Sequence, residues 1–135
     1  MAKGKTTRRR TSRRPVLGTR YAVSERGTRP WGMWEVLAVG RGYAVKRLTI
    51  KPGQRISLQF HRRRSETWII AKGRARVQIG ETAAIAEAGA SVQVPRRAVH
   101  RLANVGRTPL VVIEVQRGPL LDERDIVRLD DDHGR

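Results

Sequence analysis

Apolar and polar residues alternate along this chain in short runs, and Gly or Pro interrupts each run. Trp34 to Val39 is the first, ended by Gly40 and Gly42. Tyr43 to Ile50 follows, rich in β-branched side chains and closed by Pro52-Gly53. Similar runs cover Ile56 to His61, Glu66 to Ala71, Arg74 to Ile79, Thr82 to Glu87, Ser91 to Val94, Val99 to Asn104 and Leu110 to Gln116. A period of two sends successive side chains to opposite faces of a strand. No run keeps a helical period, apart from a single turn around Asp122 to Asp125. Short strands with turn signals every 8–12 residues or so predict an all-β sandwich or barrel.

Residues 1–28 break the pattern. Arg8, Arg9, Arg10, Arg13 and Arg14 crowd together behind Lys3 and Lys5, and Glu25 is the one acidic residue. Like charges repel, and little apolar surface is available to offset the ordering entropy. The expectation is a disordered basic arm over 1–28 and one folded domain over 29–135. Such an arm suits nucleic acid or an acidic partner, because each cation can neutralise a phosphate. No aromatic is interleaved to stack on bases, so a solvated tail is the competing reading.

Composition narrows the function. A net charge of +17 on 135 residues favours polyanions, acidic surfaces or phosphorylated small molecules. There is no cysteine, which excludes disulfides and thiolate metal sites. No apolar run is long enough to span a bilayer, and the basic start precedes no apolar core. The expected location is cytoplasmic, without a membrane partner.

The candidate chemistry lies in two clusters. Gly53 to Gly73 contains Gln59, His61 and Glu66, and VPRRAVHRLAN contains His100. Gln59 and His61 share a strand face, and Glu66 begins the returning strand. Imidazole, carboxylate and amide oxygen form a mixed set that suits Zn²⁺, Mn²⁺, Fe²⁺ or Ni²⁺. A hydrogen-bonded structural histidine and an outward glutamine are the plainer alternative. Arg62-Arg63-Arg64 reads as a solvated face.

These spacings carry a resemblance. Gly53, Gln59, His61, Glu66 and Gly73 fall at the places of the first cupin motif, with Gln59 in the first histidine place. Gly89, Pro95, His100 and Asn104 follow the second motif, with Arg97 where glycine is expected. RPWG, VKRLTIKPGQ, SLQFH, ETW, VPRRAVHRLANVG, IEVQRG and DIVRLDDDHGR make residues 29–135 similar to the isomerase domain of type II mannose-6-phosphate isomerases. In that family the domain usually follows a mannose-1-phosphate guanylyltransferase domain.

The resemblance implies a cupin double-stranded β-helix, a jelly-roll barrel. It also implies a divalent metal, zinc first, on Gln59, His61, Glu66 and His100. A homodimer is its implied assembly, polysaccharide biosynthesis its setting and a phosphorylated sugar its ligand. With no Gly-rich phosphate loop in the chain, the expectation is a free-standing cupin. The family pattern QxHHHRxEHW has histidines where this chain has Arg62, Arg63 and Thr67. Those positions flank the ligand places and bear on substrate fit.

The expected activity is a metal-dependent isomerase interconverting mannose 6-phosphate and fructose 6-phosphate. Glu114 is the first candidate base and Lys46 the second. Phosphate and sugar contacts are assigned to Arg47, Arg97, Arg128 and Gln116, with Lys46 as a further cation. The alternative is a non-catalytic metal- and sugar-phosphate-binding cupin, a sensor or accessory protein, whose arm binds nucleic acid or an acidic partner.

Overall fold

A computed structural model describes residues 8, 9 and 18–134. Its strands are β1 (Arg8–Arg9), β2 (Arg26–Arg29), β3 (Gly32–Gly40), β4 (Tyr43–Ile50), β5 (Leu58–Phe60), β6 (Ser65–Lys72), β7 (Arg74–Ile79), β8 (Thr82–Glu87), β9 (Ser91–Val94), β10 (His100–Asn104), β11 (Leu110–Arg117) and β12 (Val127–Asp130). They form two antiparallel sheets, ordered β1-β2-β3-β4-β11-β6-β9 and β12-β5-β10-β7-β8. Among the described residues there is no α-helix, so none that could cross a membrane.

Alternation decides what enters the barrel. Ala44, Lys46, Leu48 and Ile50 point inward from β4, and Leu110, Val112, Glu114 and Gln116 do so from β11. Glu66, Trp68 and Ile70 complete the layer from β6. Registry sorts these residues by polarity. Leu48 lies opposite Val112, which lies opposite Ile70, while Lys46 lies opposite Glu114, which lies opposite Trp68. Gln116 is the partner of Glu66. One end of the interior is therefore a hydrocarbon core, and the other gathers ionisable groups that could not be buried singly.

The arm expected over 1–28 falls mostly outside the described residues. Its last part, 18–28, is folded. Tyr21 is 3% exposed and meets Trp34 edge-on, and β2 pairs along β3. The sequence pattern hid this because part of the support lies far along the chain, where Arg20 N donates to the Leu121 carbonyl and Tyr21 meets Lys46 and Glu123. Trp31 and Trp34 are core residues. The C-terminal acidic run is held by arginines: Arg55 binds both carboxylate oxygens of Asp132 at 2.7 Å, and Arg101 meets Asp130 at 3.2 Å.

Arg97 has φ 68°, the left-handed region. This explains why glycine belongs there, since any Cβ is strained in that conformation. Arg97→Gly is expected to stabilise the fold by about 0.5–1 kcal/mol. A raised urea midpoint at unchanged slope would show it, and an unchanged or lowered midpoint would refute it.

Candidate metal centre and its adjoining pocket

Three buried ligand groups converge between the sheets. His61 follows β5, Glu66 is the second residue of β6, and His100 opens β10, where it pairs with Gln59. Their ligand atoms all lie within 4.8 Å of one another. His61 Nε2 is 3.1 Å and His100 Nε2 4.0 Å from the Glu66 carboxylate.

Hydrogen bonds on the far side of each ring set the chemistry. His61 Nδ1 donates to the Asp125 carbonyl at 2.7 Å, and His100 Nδ1 donates to the Ala98 carbonyl at 2.9 Å. In its neutral form each ring would therefore turn a bare Nε2 inward, the orientation metal-ligating histidines adopt. His100 Nε2 is buried and has no hydrogen-bond partner. Burial holds His100 below its ordinary pKa, against the pull of Glu66. Glu66 is 1% exposed, yet its carboxyl lies well below the usual range. Burial opposes that, but His61 and Arg64 outweigh it.

Two bare imidazole nitrogens and an ionised carboxylate fit a borderline divalent ion. Gln59 needs one adjustment to join them. Its Oε1 accepts from Ser57 Oγ at 2.6 Å, while its Nε2 faces His61 at 3.4 Å. The Ser57 hydroxyl can accept as well as donate, so turning the amide over keeps that bond and presents the oxygen.

Arg64 is the residue that sequence reasoning missed. Arg62 and Arg63 are exposed, but Arg64 is 3% exposed. Its Nε donates to Glu66 Oε2 at 2.8 Å, Nη2 reaches His61 Nε2 at 3.3 Å, and Nη1 donates to the Asp122 carbonyl at 3.2 Å. A solvated face was expected. Counting back by two from Glu66 places Arg64 on the inward face, so the same alternation that found the strand could have found this cation.

Beside the ligands lies a small cavity of about 50 Å³, lined in part by Arg29, Lys46, Gln59, Arg64, Glu114, Glu123 and Arg128. Glu114 Oε1 accepts from Trp68 Nε1 at 3.4 Å and Oε2 from Gln116 Nε2 at 2.9 Å. Burial, then Glu66, pushes the Glu114 carboxyl up to about 8. Lys46 Nζ donates to Glu123 at 2.9 Å and to Tyr21 Oη at 3.0 Å, and lies 4.2 Å from the Trp34 ring centroid. Burial alone would lower Lys46, but Glu123, Tyr21 and Glu114 together lift it above its usual value. It is a fixed cation rather than the second base expected.

The other expected contacts divide. Arg128 lines the cavity. Gln116 is buried against Glu114 and orders that carboxyl. Arg47 is not in the pocket. Next to inward Lys46, it faces out and pairs with Glu35 at 2.8 Å. Arg97 is exposed in its turn, where its backbone N donates to the His61 carbonyl at 2.9 Å. It supports a ligand loop from outside the cavity.

Known proteins with similar sequences are much longer. The chain is 45% identical over 107 residues to the xanthan biosynthesis protein XanB of Xanthomonas campestris pv. campestris, covering 79% of this chain and 23% of that protein. It is 42% identical over 107 residues to the mannose-1-phosphate guanylyltransferase ManC of Salmonella typhimurium, covering 79% of this chain and 22% of that protein. The chain thus spans under a quarter of these relatives' length. Among solved structures, the Cnp3 cupin domain of Schizosaccharomyces pombe matches with a TM-score of 0.62 at 14% identity, over 64% of each chain. That likeness establishes the cupin fold.

The relatives' names correct one expectation. They belong to a guanylyltransferase and a polysaccharide biosynthesis protein, not to a stand-alone isomerase of mannose 6-phosphate and fructose 6-phosphate. The expected stand-alone isomerase activity is therefore overturned. A family model described as mannose-6-phosphate isomerase C-terminal matches residues 19–131, and the chain belongs to that family.

Proposed function

We propose that this chain is a metal-holding, sugar-phosphate-binding cupin domain of the kind carried by mannose-1-phosphate guanylyltransferases, serving polysaccharide precursor synthesis. The observation that supports it best is the junction of a buried His61–Glu66–His100 cluster with a cavity lined by Arg29, Lys46, Arg64 and Arg128. Gln59, His61, Glu66 and His100 would hold the ion. Zinc is the ion proposed, because imidazole, carboxylate and amide ligands suit it in a compact site. A bound divalent ion supplies Lewis-acid polarisation of a sugar oxygen.

The chain's own residues do the rest. Lys46 and Arg128 neutralise phosphate charge. Glu114, protonated below about 8, donates a hydrogen bond or a proton to a sugar oxygen. Gln116 and Trp68 fix the orientation of that carboxyl.

Elemental analysis and calorimetry test this reading. Purified chain is expected to carry close to one equivalent of divalent metal, and His61→Ala to lose more zinc affinity than the roughly 10–100-fold that removal of an outer-shell partner costs. Metal-loaded chain should bind mannose 1-phosphate or mannose 6-phosphate saturably. Full metal loading with no binding of either sugar phosphate would sink the proposal.

A further inference from the structure

One carboxylate sits where the cavity is most cationic. Glu123 Oε1 accepts from Arg29 Nη2 at 2.9 Å, and Oε2 accepts from Lys46 Nζ at 2.9 Å and Tyr21 Oη at 3.1 Å. The donors come from a strand of the sheet, from the segment before β2 and from β2 itself. All three side chains are buried. Converging donors around one oxyanion are what a protein builds to bind phosphate or carboxylate.

The carboxylate comes from a different kind of structure. Glu123 lies between β11 and β12, in residues 118–126, which belong to no named strand. Leu121 is tied to Gly18 and Arg20, but beyond it, as far as Ile126, the one backbone–backbone bond among the described residues is the turn from Asp125 N to the Asp122 carbonyl, and the Asp125 carboxylate accepts from Arg62 N and Arg63 N. The same short strap places its carbonyls on the metal-centre residues, with Asp122 O on Arg64 and Asp125 O on His61. Glu123 is thus an internal anion held over the ligand cluster by a strap without ladder pairing.

Charge and space both leave the site incompletely matched. Arg29 and Lys46 line the cavity on either side of the single Glu123 carboxylate, while Arg64 pairs with Glu66 at 2.8 Å. A single carboxylate places one negative charge between Arg29 and Lys46, whereas a phosphate dianion would match both. A cavity of about 50 Å³ has room for a few waters and not for a hexose phosphate. Withdrawing the Glu123 side chain enlarges the cavity and frees its three donors together.

We propose that Arg29, Lys46 and Tyr21 form an anion subsite for a phosphate group, and that Glu123 occupies it in the free chain as a displaceable placeholder. This rests on the sugar-phosphate reading above and adds to it where the phosphate lies and what must leave first. Phosphate binding and strap movement are then one event, which also changes the carbonyl contacts to Arg64 and His61.

The test uses the full, metal-stripped chain with inorganic phosphate as the probe. Chloride at matched ionic strength corrects for the general attraction of a chain with net charge +17. Phosphate affinity is measured by calorimetry, and phosphate-dependent melting by near-UV circular dichroism, for wild type, Glu123→Gln and Glu123→Ala. Both variants are expected to bind phosphate at least about tenfold tighter than wild type, and adding Lys46→Met should abolish the gain. If Glu123→Ala is unfolded alone, phosphate should restore its fold.

Unchanged or weaker phosphate affinity in both variants overturns the proposal, as does failure of phosphate to restore an unfolded Glu123→Ala chain while Glu123→Gln shows no gain. Glu123 would then be a permanent structural ion-pair partner. Because neither metal nor sugar is used, failure here leaves the metal and sugar-phosphate titrations to stand or fall separately.

Discussion

Arg64→Ala is expected to destabilise the metal-stripped chain by about 3–5 kcal/mol, and zinc is expected to restore most of that loss. Arg64 and Glu66 form a contact at 2.8 Å with side chains 3% and 1% exposed. Removing one partner of such a pair leaves an uncompensated buried charge, which costs far more than the pair itself contributes. Trp68 Nε1 at 3.0 Å and His61 Nε2 at 3.1 Å remain beside Glu66, and neither is the permanent cation that Arg64 is. A divalent ion held by His61, Glu66 and His100 would meet the same carboxylate. The two cations are therefore partly interchangeable in holding the fold.

Urea unfolding in EDTA and in excess zinc measures this directly. The gap between wild type and variant should be several kcal/mol in EDTA and shrink in zinc. Arg64→Lys should recover only part, since one ammonium cannot serve Glu66, His61 and the Asp122 carbonyl together. A loss under about 1 kcal/mol in EDTA, or an equal loss under both conditions, would show that Arg64 does not serve as the internal cation.

How far the sequence reached depended on whether a residue's setting is local. The strands were legible because the alternation is clean and Gly or Pro breaks each run. His61, Glu66 and His100 were legible because their spacing survives in the fold. Lys46 and Arg47 both read as phosphate cations, although the alternation that buries Leu48 and Ile50 already turns Lys46 in and Arg47 out. Arg64 was hidden by its neighbours, because three arginines in a row look like one solvated patch. Tyr21, Arg29 and Glu123 were illegible for a different reason. Their contacts join the two ends of the chain, and nothing in either segment announces a partner so far away.

That same network yields the second large effect, in the loss of Lys46. Lys46→Met is expected to cost about 3 kcal/mol at neutral pH, the lower part of the range for a broken buried pair, because Arg29 and Tyr21 still serve Glu123. The sign of the pH dependence follows from Glu123. Burial would raise its carboxyl, but Lys46 and then Arg29 pull it far below the ordinary range. A carboxyl depressed in the folded state contributes stability fully above its unfolded value of about 4.3, and that contribution is lost as pH falls toward the folded value. Wild type should therefore weaken below about pH 4. In Lys46→Met the main opposing cation is gone, so burial raises Glu123 and it accepts a proton at higher pH. The gap between the two proteins should then be widest near neutrality, begin to narrow where Glu123 of the variant takes up its proton, and close further below about pH 4 as wild type loses its own stabilisation. Urea midpoints taken across that range decide it. A gap that stays constant with pH would mean that Lys46 stabilises the barrel through its aliphatic stem and the Trp34 face, and not through Glu123.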